Sequence, residues 1–105
     1  MSKNEELLGT FIEDAEDILQ GLFDTLMVIE EEPGNEEKLN ELFRLVHTLK
    51  GAAALINLEE ISNYAHEIET VLDAVRKGRL VMDEDLGDVI FGSFNLLKTL
   101  IEDVK

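Results

Sequence analysis

With 24 acidic against 9 basic side chains in 105 residues, the chain carries a formal charge of −15, which excludes nucleic-acid backbones and anionic membrane surfaces as partners, since both require clustered Lys and Arg. Its 45% apolar and 31% charged residues place it with globular sequences, and its length suffices for one core and not two, so residues 1–105 are expected to form a single domain. The lack of cysteine rules out a disulfide framework and a thiolate zinc site; no apolar run nears the roughly 18–20 residues that span a bilayer, and Met1-Ser2-Lys3-Asn4-Glu5-Glu6 lacks the layout of a signal peptide, so a cytoplasmic protein is expected.

From about residue 4 to 31, Leu8, Phe11, Ile12, Ala15, Ile18, Leu19, Leu22, Leu26 and Ile29 recur at the i, i+3, i+4, i+7 spacing of one long amphipathic helix. Its other face carries Glu13, Asp14, Glu16, Asp17 and Asp24 and reads as a solvated surface. Glu32-Pro33-Gly34-Asn35 breaks the pattern, and Asn35 is a good N-cap for a second helix over about 36–56. There Leu39, Leu42, Val46, Leu49 and Ala53 form the buried stripe.

The join Ile56-Asn57-Leu58-Glu59-Glu60 is short. Asn57 tolerates the left-handed conformation that ends a helix, and with Glu60 it also reads as a capping-box-like start for a third helix over about 59–77. Ile61, Tyr64, Ala65, Ile68, Val71, Leu72 and Val75 form its stripe, and Arg76, Lys77 and Gly78 end it with cations and a glycine. Leu80, Val81 and Met82 are expected to tuck against the end of the molecule. Asp83 then caps a fourth helix over about 83–104, with Leu86, Val89, Ile90, Phe94, Leu97, Leu100, Ile101 and Val104 facing inward. Phe43, Phe91 and Phe94 read as core. Four helices with short connections give an all-α, antiparallel up-down-up-down four-helix bundle.

Within the second helix, His47 falls off the buried stripe toward solvent, with Lys50 at i+3 and Gly51 at i+4. Helical side chains lean toward the N-terminus, so a larger residue at 51 would cover the surface over His47; access for a bulky group explains a glycine that costs about 0.5–1 kcal/mol relative to Ala. On the third helix His66 and Glu69 share a flank beside the apolar stripe. If the hairpin brings that flank to His47, Glu69 accepts a hydrogen bond from Nδ1–H, leaving the Nε2 lone pair as a nucleophile. Lys50 would then neutralise a phosphoryl group on Nε2. Two other readings stay open on spacing alone: a plain surface histidine, and metal binding by His47, His66 and Glu69, although bundle metal sites usually draw inward-facing ligands from several helices. No Gly-rich phosphate loop precedes a helix, and no Ser, His and acid group as a triad.

The run Phe43-Arg44-Leu45-Val46-His47-Thr48-Leu49-Lys50-Gly51-Ala52-Ala53 resembles the phosphorylation motif of histidine phosphotransfer domains. Ala65-His66-Glu67-Ile68-Glu69-Thr70-Val71-Leu72-Asp73 resembles the second motif of the branch found at the N-terminus of CheA-type chemotaxis kinases. The resemblance covers nearly the whole chain. It implies His47 as the phosphoacceptor, modified on Nε2, Lys50 as the cation beside the phosphoryl group, and Glu69 as the carboxylate orienting the ring. It also implies His66 as a member of the hydrogen-bond network and Gly51 as the residue that keeps the site open. The implied partners are the ATP-binding domain of a histidine kinase and the receiver domain of a response regulator. ATP and Mg²⁺ would belong to those partners, and this chain would hold no cofactor or metal and be no enzyme by itself. Ala54 and Asn57 stand where relatives often have glycine. Relatives can carry a further helix, and a free-standing module and an excerpt of a larger kinase both remain open. The competing functional class is an acidic bundle that is not phosphorylated and acts as a protein-interaction module.

Overall fold

The computed structural model describes residues 2–105 and contains four helices: α1 (Lys3–Glu31), α2 (Glu36–Leu55), α3 (Glu59–Arg76) and α4 (Glu84–Asp103). Each end lies within one residue of the boundary read from the periodicity. Three starts are fixed by a side-chain oxygen that accepts from a backbone N–H of the first turn: Ser2 from Glu5, Asn35 from Lys38 and Asp83 from Leu86. Two acidic residues follow in the first turn of every helix, matching the dipole.

The helices form an antiparallel square. α1 packs on α2 and α4, and α3 packs on α2 and α4, with no diagonal contact among the described residues. The molecule is a rod of 46 × 21 × 21 Å. Its core runs the full length through Leu22, Leu42, Leu49, Leu72, Phe94 and Leu97, all fully buried. Burial of such side chains, about 1.5–3 kcal/mol each, is the main stabilising contribution, because no isolated helix of this length and composition would persist in water. Gly21 lets α1 and α2 approach closely, since a Cβ there would stand 3.3 Å from a Leu45 methyl.

The turn between α2 and α3 places Asn57 at φ +62°. Leu58 N–H reaches back to the Ala53 carbonyl (2.9 Å) and Asn57 N–H to that of Ala54 (3.1 Å), the paired bonds of a Schellman motif. The motif recurs after α3, where Gly78 has φ +75°, Arg79 N–H bonds Ala74 O (2.8 Å) and Gly78 N–H bonds Val75 O (3.1 Å). The expected capping box at Asn57 is absent. Asn57 is consumed in ending α2, and α3 starts from Leu58 with no side-chain cap.

Three burial expectations also need correction. Val89 is exposed on the α3 side of α4, bordering a shallow groove with Tyr64, Ile68 and Val71. Of the loop residues only Met82 tucks in, while Leu80 and Val81 stay exposed. Phe91 is half exposed; it meets Phe23 edge-on at 5.5 Å, and Phe23 in turn packs perpendicular to the buried Phe94 at 5.9 Å. Val89 and Phe91 sit at the margin of the α4 stripe, where periodicity cannot distinguish the seam from the outer surface, and Leu80 and Val81 lie in the connection between α3 and α4, which has no periodicity to read.

Asn57→Val should cost about 1–2 kcal/mol, the penalty of a β-branched residue forced to positive φ, whereas Asn57→Gly should change stability by only a few tenths. Urea midpoints of the two variants test this, and equal losses would show that backbone conformation is not what Asn57 supplies.

Candidate functional site

The α2/α3 hairpin has the most extensive contact of the bundle, and its antiparallel register sets the middle of α2 against the middle of α3. Val46 and Leu49 are buried, which turns His47 between them onto the flank of α2 facing α3. Ile68 and Leu72 act likewise on α3 and turn Glu69 into the seam. The two side chains meet: His47 Nδ1 lies 2.5 Å from Glu69 Oε2. The His47 side chain is 62% exposed and that of Glu69 11%. A solvent-facing imidazole is therefore tied at one nitrogen to a carboxylate that water scarcely reaches.

The other oxygen of that carboxylate is also occupied. Lys50 Nζ donates to Glu69 Oε1 at 2.8 Å, and His66 Nδ1 stands 3.5 Å from the same atom. His47, Lys50, His66 and Glu69 thus converge as the spacing suggests, while two details differ. Glu69 belongs to the buried set rather than lying beside it, and Lys50 is drawn into the seam and paired instead of standing free next to the imidazole. Gly51 lies on the exposed side one turn after His47, and a Cβ there would meet nothing within 4 Å. Packing does not require the glycine, and the surface over His47 is open.

Burial acts to raise the Glu69 pKa, but the hydrogen bonds from Lys50 and His47, with the Lys50 charge, outweigh it and hold the carboxyl below its ordinary value of 4.5. The group is accordingly an anion at neutral pH and can only accept hydrogen bonds. In the neutral imidazole the proton then sits on Nδ1, and the lone pair is on Nε2, the nitrogen away from Glu69.

Several contributors escaped the sequence reading. Ser62 Oγ donates to the Lys50 carbonyl at 3.2 Å, tying α3 to α2 beside the site. Away from the site, on the α1 side of α2, buried Thr25 donates to Glu41 (3.2 Å), which also pairs with Lys38 (3.2 Å) and is held below its usual range chiefly by that lysine. Phe43 is half-buried, with its ring parallel to that of His47. The i, i+4 spacing of Phe43 and His47 was an available signal; Ser62 and Thr25 gave none, since a hydroxyl has no periodicity of its own. No group of three His, Cys, Asp or Glu side chains that could hold a metal ion occurs among the described residues, and no described helix is long and apolar enough to cross a membrane.

Comparison with known proteins shows the class to which this bundle belongs. The chain belongs to the Hpt domain family, whose model matches residues 6–105. Within it, the chain is similar to CheA: it is 37% identical over 99 residues to the chemotaxis protein CheA of Borreliella burgdorferi, covering 94% of this chain and 12% of that protein. It therefore spans about an eighth of that relative's length. The CheA phosphotransferase domain from Thermotoga maritima superposes with a TM-score of 0.91 at 33% identity, covering 99% of this chain and 98% of that one. The phosphorylated P1 domain of CheA3 in complex with CheY6 from R. sphaeroides shares the fold, with a TM-score of 0.85 at 22% identity over 93% of this chain and 77% of that one.

Because the folded Glu69 value lies below the unfolded one, the carboxylate contributes stability that is fully present above the unfolded glutamate value and lost as pH falls through the depressed folded value. Urea midpoints of wild type and Glu69→Gln should therefore converge as pH drops from about 6 to about 3. A constant gap across that range would mean the ionised form is not what the fold uses.

Proposed function

We propose that residues 1–105 form a single phosphotransfer domain of chemotaxis two-component signalling, with His47 as its phosphoacceptor. The observation carrying this reading is the 2.5 Å contact between Nδ1 of an exposed imidazole and a buried, ionised Glu69. The lone pair on Nε2 attacks the γ-phosphorus of ATP bound to a separate kinase domain; the Nε2–P bond forms, the bond to the β,γ-bridging oxygen breaks, and ADP leaves. The ring becomes positive while keeping its Nδ1 proton, and Glu69 stabilises that charge across the hydrogen bond.

The same charge makes the imidazole a good leaving group. When an aspartate of a receiver domain attacks, the N–P bond breaks, an acyl phosphate forms and the ring returns to neutrality. Lys50 is the cation for the phosphoryl oxygens and reaches them by turning from Glu69 Oε1. His66 is the second imidazole of the network, and Gly51 leaves room for the incoming group. ATP and Mg²⁺ are supplied by the partner domains, and the module works in the cytoplasm, where those partners reside. It is the acceptor and donor in the relay rather than the catalyst.

Incubation with a CheA-type kinase domain, ATP and Mg²⁺ should give acid-labile phosphate on wild type and none on His47→Gln. Equal labelling of the two would end the assignment, and no labelling of wild type would favour an acidic bundle that only recruits a partner. Glu69→Ala should remain folded and accept phosphate roughly 10–100-fold more slowly, the usual scale for losing a carboxylate that orients a functional histidine. A wild-type rate in that variant would show that the carboxylate does not orient the ring.

A further inference from the structure

One hydrogen bond at Nδ1 fixes an atom of the imidazole, not its plane. The His47 side chain has two torsions, a single distance restrains one combination of them, and the motion left over moves Nε2 and the direction of its lone pair. For a nucleophile that must meet phosphorus in line, that freedom slows the reaction. The structure contains a second restraint. Phe43 lies one turn before His47, and the two rings are parallel to within 10°, with centroids 6.3 Å apart, inside the range of offset aromatic stacking. Phe43 is itself held. Part of its ring packs against the core, and the Arg76 guanidinium lies over it, 4.1 Å from the ring centroid. Asp73 lies 3.7 Å from that guanidinium, while Lys77 pairs with the same carboxylate at 2.7 Å.

These contacts form a chain along the α2/α3 seam: Asp73 beside Arg76, Arg76 on Phe43, Phe43 alongside His47. We propose that Phe43 is a positioning residue for phosphoryl transfer, its ring setting the plane in which His47 presents Nε2, with Arg76 holding Phe43 in place. Glu69 then fixes which nitrogen is free and Phe43 fixes where it points. The inference rests on His47 being the phosphoacceptor.

Phosphoramidate tests it without a docking partner. The Nε2–P bond forms as the donor P–N bond breaks and ammonia leaves with the electron pair. Wild type should label at His47, and His47→Gln should not. Phe43→Tyr, which keeps a flat ring, should label at close to the wild-type rate. Phe43→Leu keeps apolar bulk but no plane; with helical content intact, it should label about fivefold more slowly, short of the ~10²-fold that a fixed 1 Å misplacement can cost. The His47 Nδ1 proton should give a resolved NMR signal in wild type and Phe43→Tyr and an exchange-broadened one in Phe43→Leu. A wild-type rate in Phe43→Leu, or equal slowing in Leu and Tyr with an unchanged ring signal, would overturn the proposal. Absence of label on wild-type His47 would count against the phosphoacceptor reading instead, and the NMR comparison would still decide whether Phe43 holds the ring.

Discussion

The site depends on burying one negative charge. Among the described residues Glu69 is the single charged side chain in the buried set, and burial by itself raises the pKa of a carboxyl placed there. It remains ionised because both oxygens are occupied, Oε2 by His47 and Oε1 by Lys50. The dependence is mutual. Lys50 and His47 together hold the carboxyl below its ordinary value against the effect of burial, and the carboxylate in turn draws Lys50 into the seam. No buried side-chain polar atom among the described residues lacks a partner, so the reactive cluster is also a satisfied structural one.

The architecture was legible because its signals are local. The single proline, the caps at Asn35 and Asp83 and the 3.6-residue stripes each act within a turn or two, and the helix ends follow to within one residue. The convergence of His47 and Glu69 was also legible, since a short connection forces α2 and α3 antiparallel. Side-chain choice among several partners was not. Lys50 lies three residues from His47 and could have faced either the open surface or the seam, and the outcome depends on the unpaired oxygen of Glu69, which no spacing within α2 reveals. Phe43 is the converse case: its proximity to His47 follows from i, i+4 spacing, yet an aromatic at the edge of a stripe reads as core until Arg76 is seen above its ring. Asn57 could be read as ending one helix or starting the next, and its positive φ commits it to the former.

Charge is distributed unevenly over the four helices. α1 carries nine acidic residues and one basic residue, whereas α2 carries Glu36, Glu37 and Glu41 against Lys38, Arg44 and Lys50 and is neutral overall. The helix that bears His47 is thus the one on which a dianionic phosphoryl group meets least repulsion. α3, which faces His47, carries Glu59, Glu60, Glu67, Glu69 and Asp73 against Arg76, so the cations on α2 are what offset negative charge around the site.

The Schellman turn at Asn57 has a consequence for how this sequence can vary. It fixes the phase of α3 against α2, and one residue added there would advance α3 by about 1.5 Å and rotate it by about 100° relative to that phase. The apolar residues of α3 lie on one stripe, so a rotation of that size would carry Glu69 and part of the stripe out of the seam together. Loop length at this corner is therefore under tighter constraint than loop composition. Sequences of this type should tolerate substitution at position 57 by residues that accept positive φ far better than they tolerate insertion or deletion beside it.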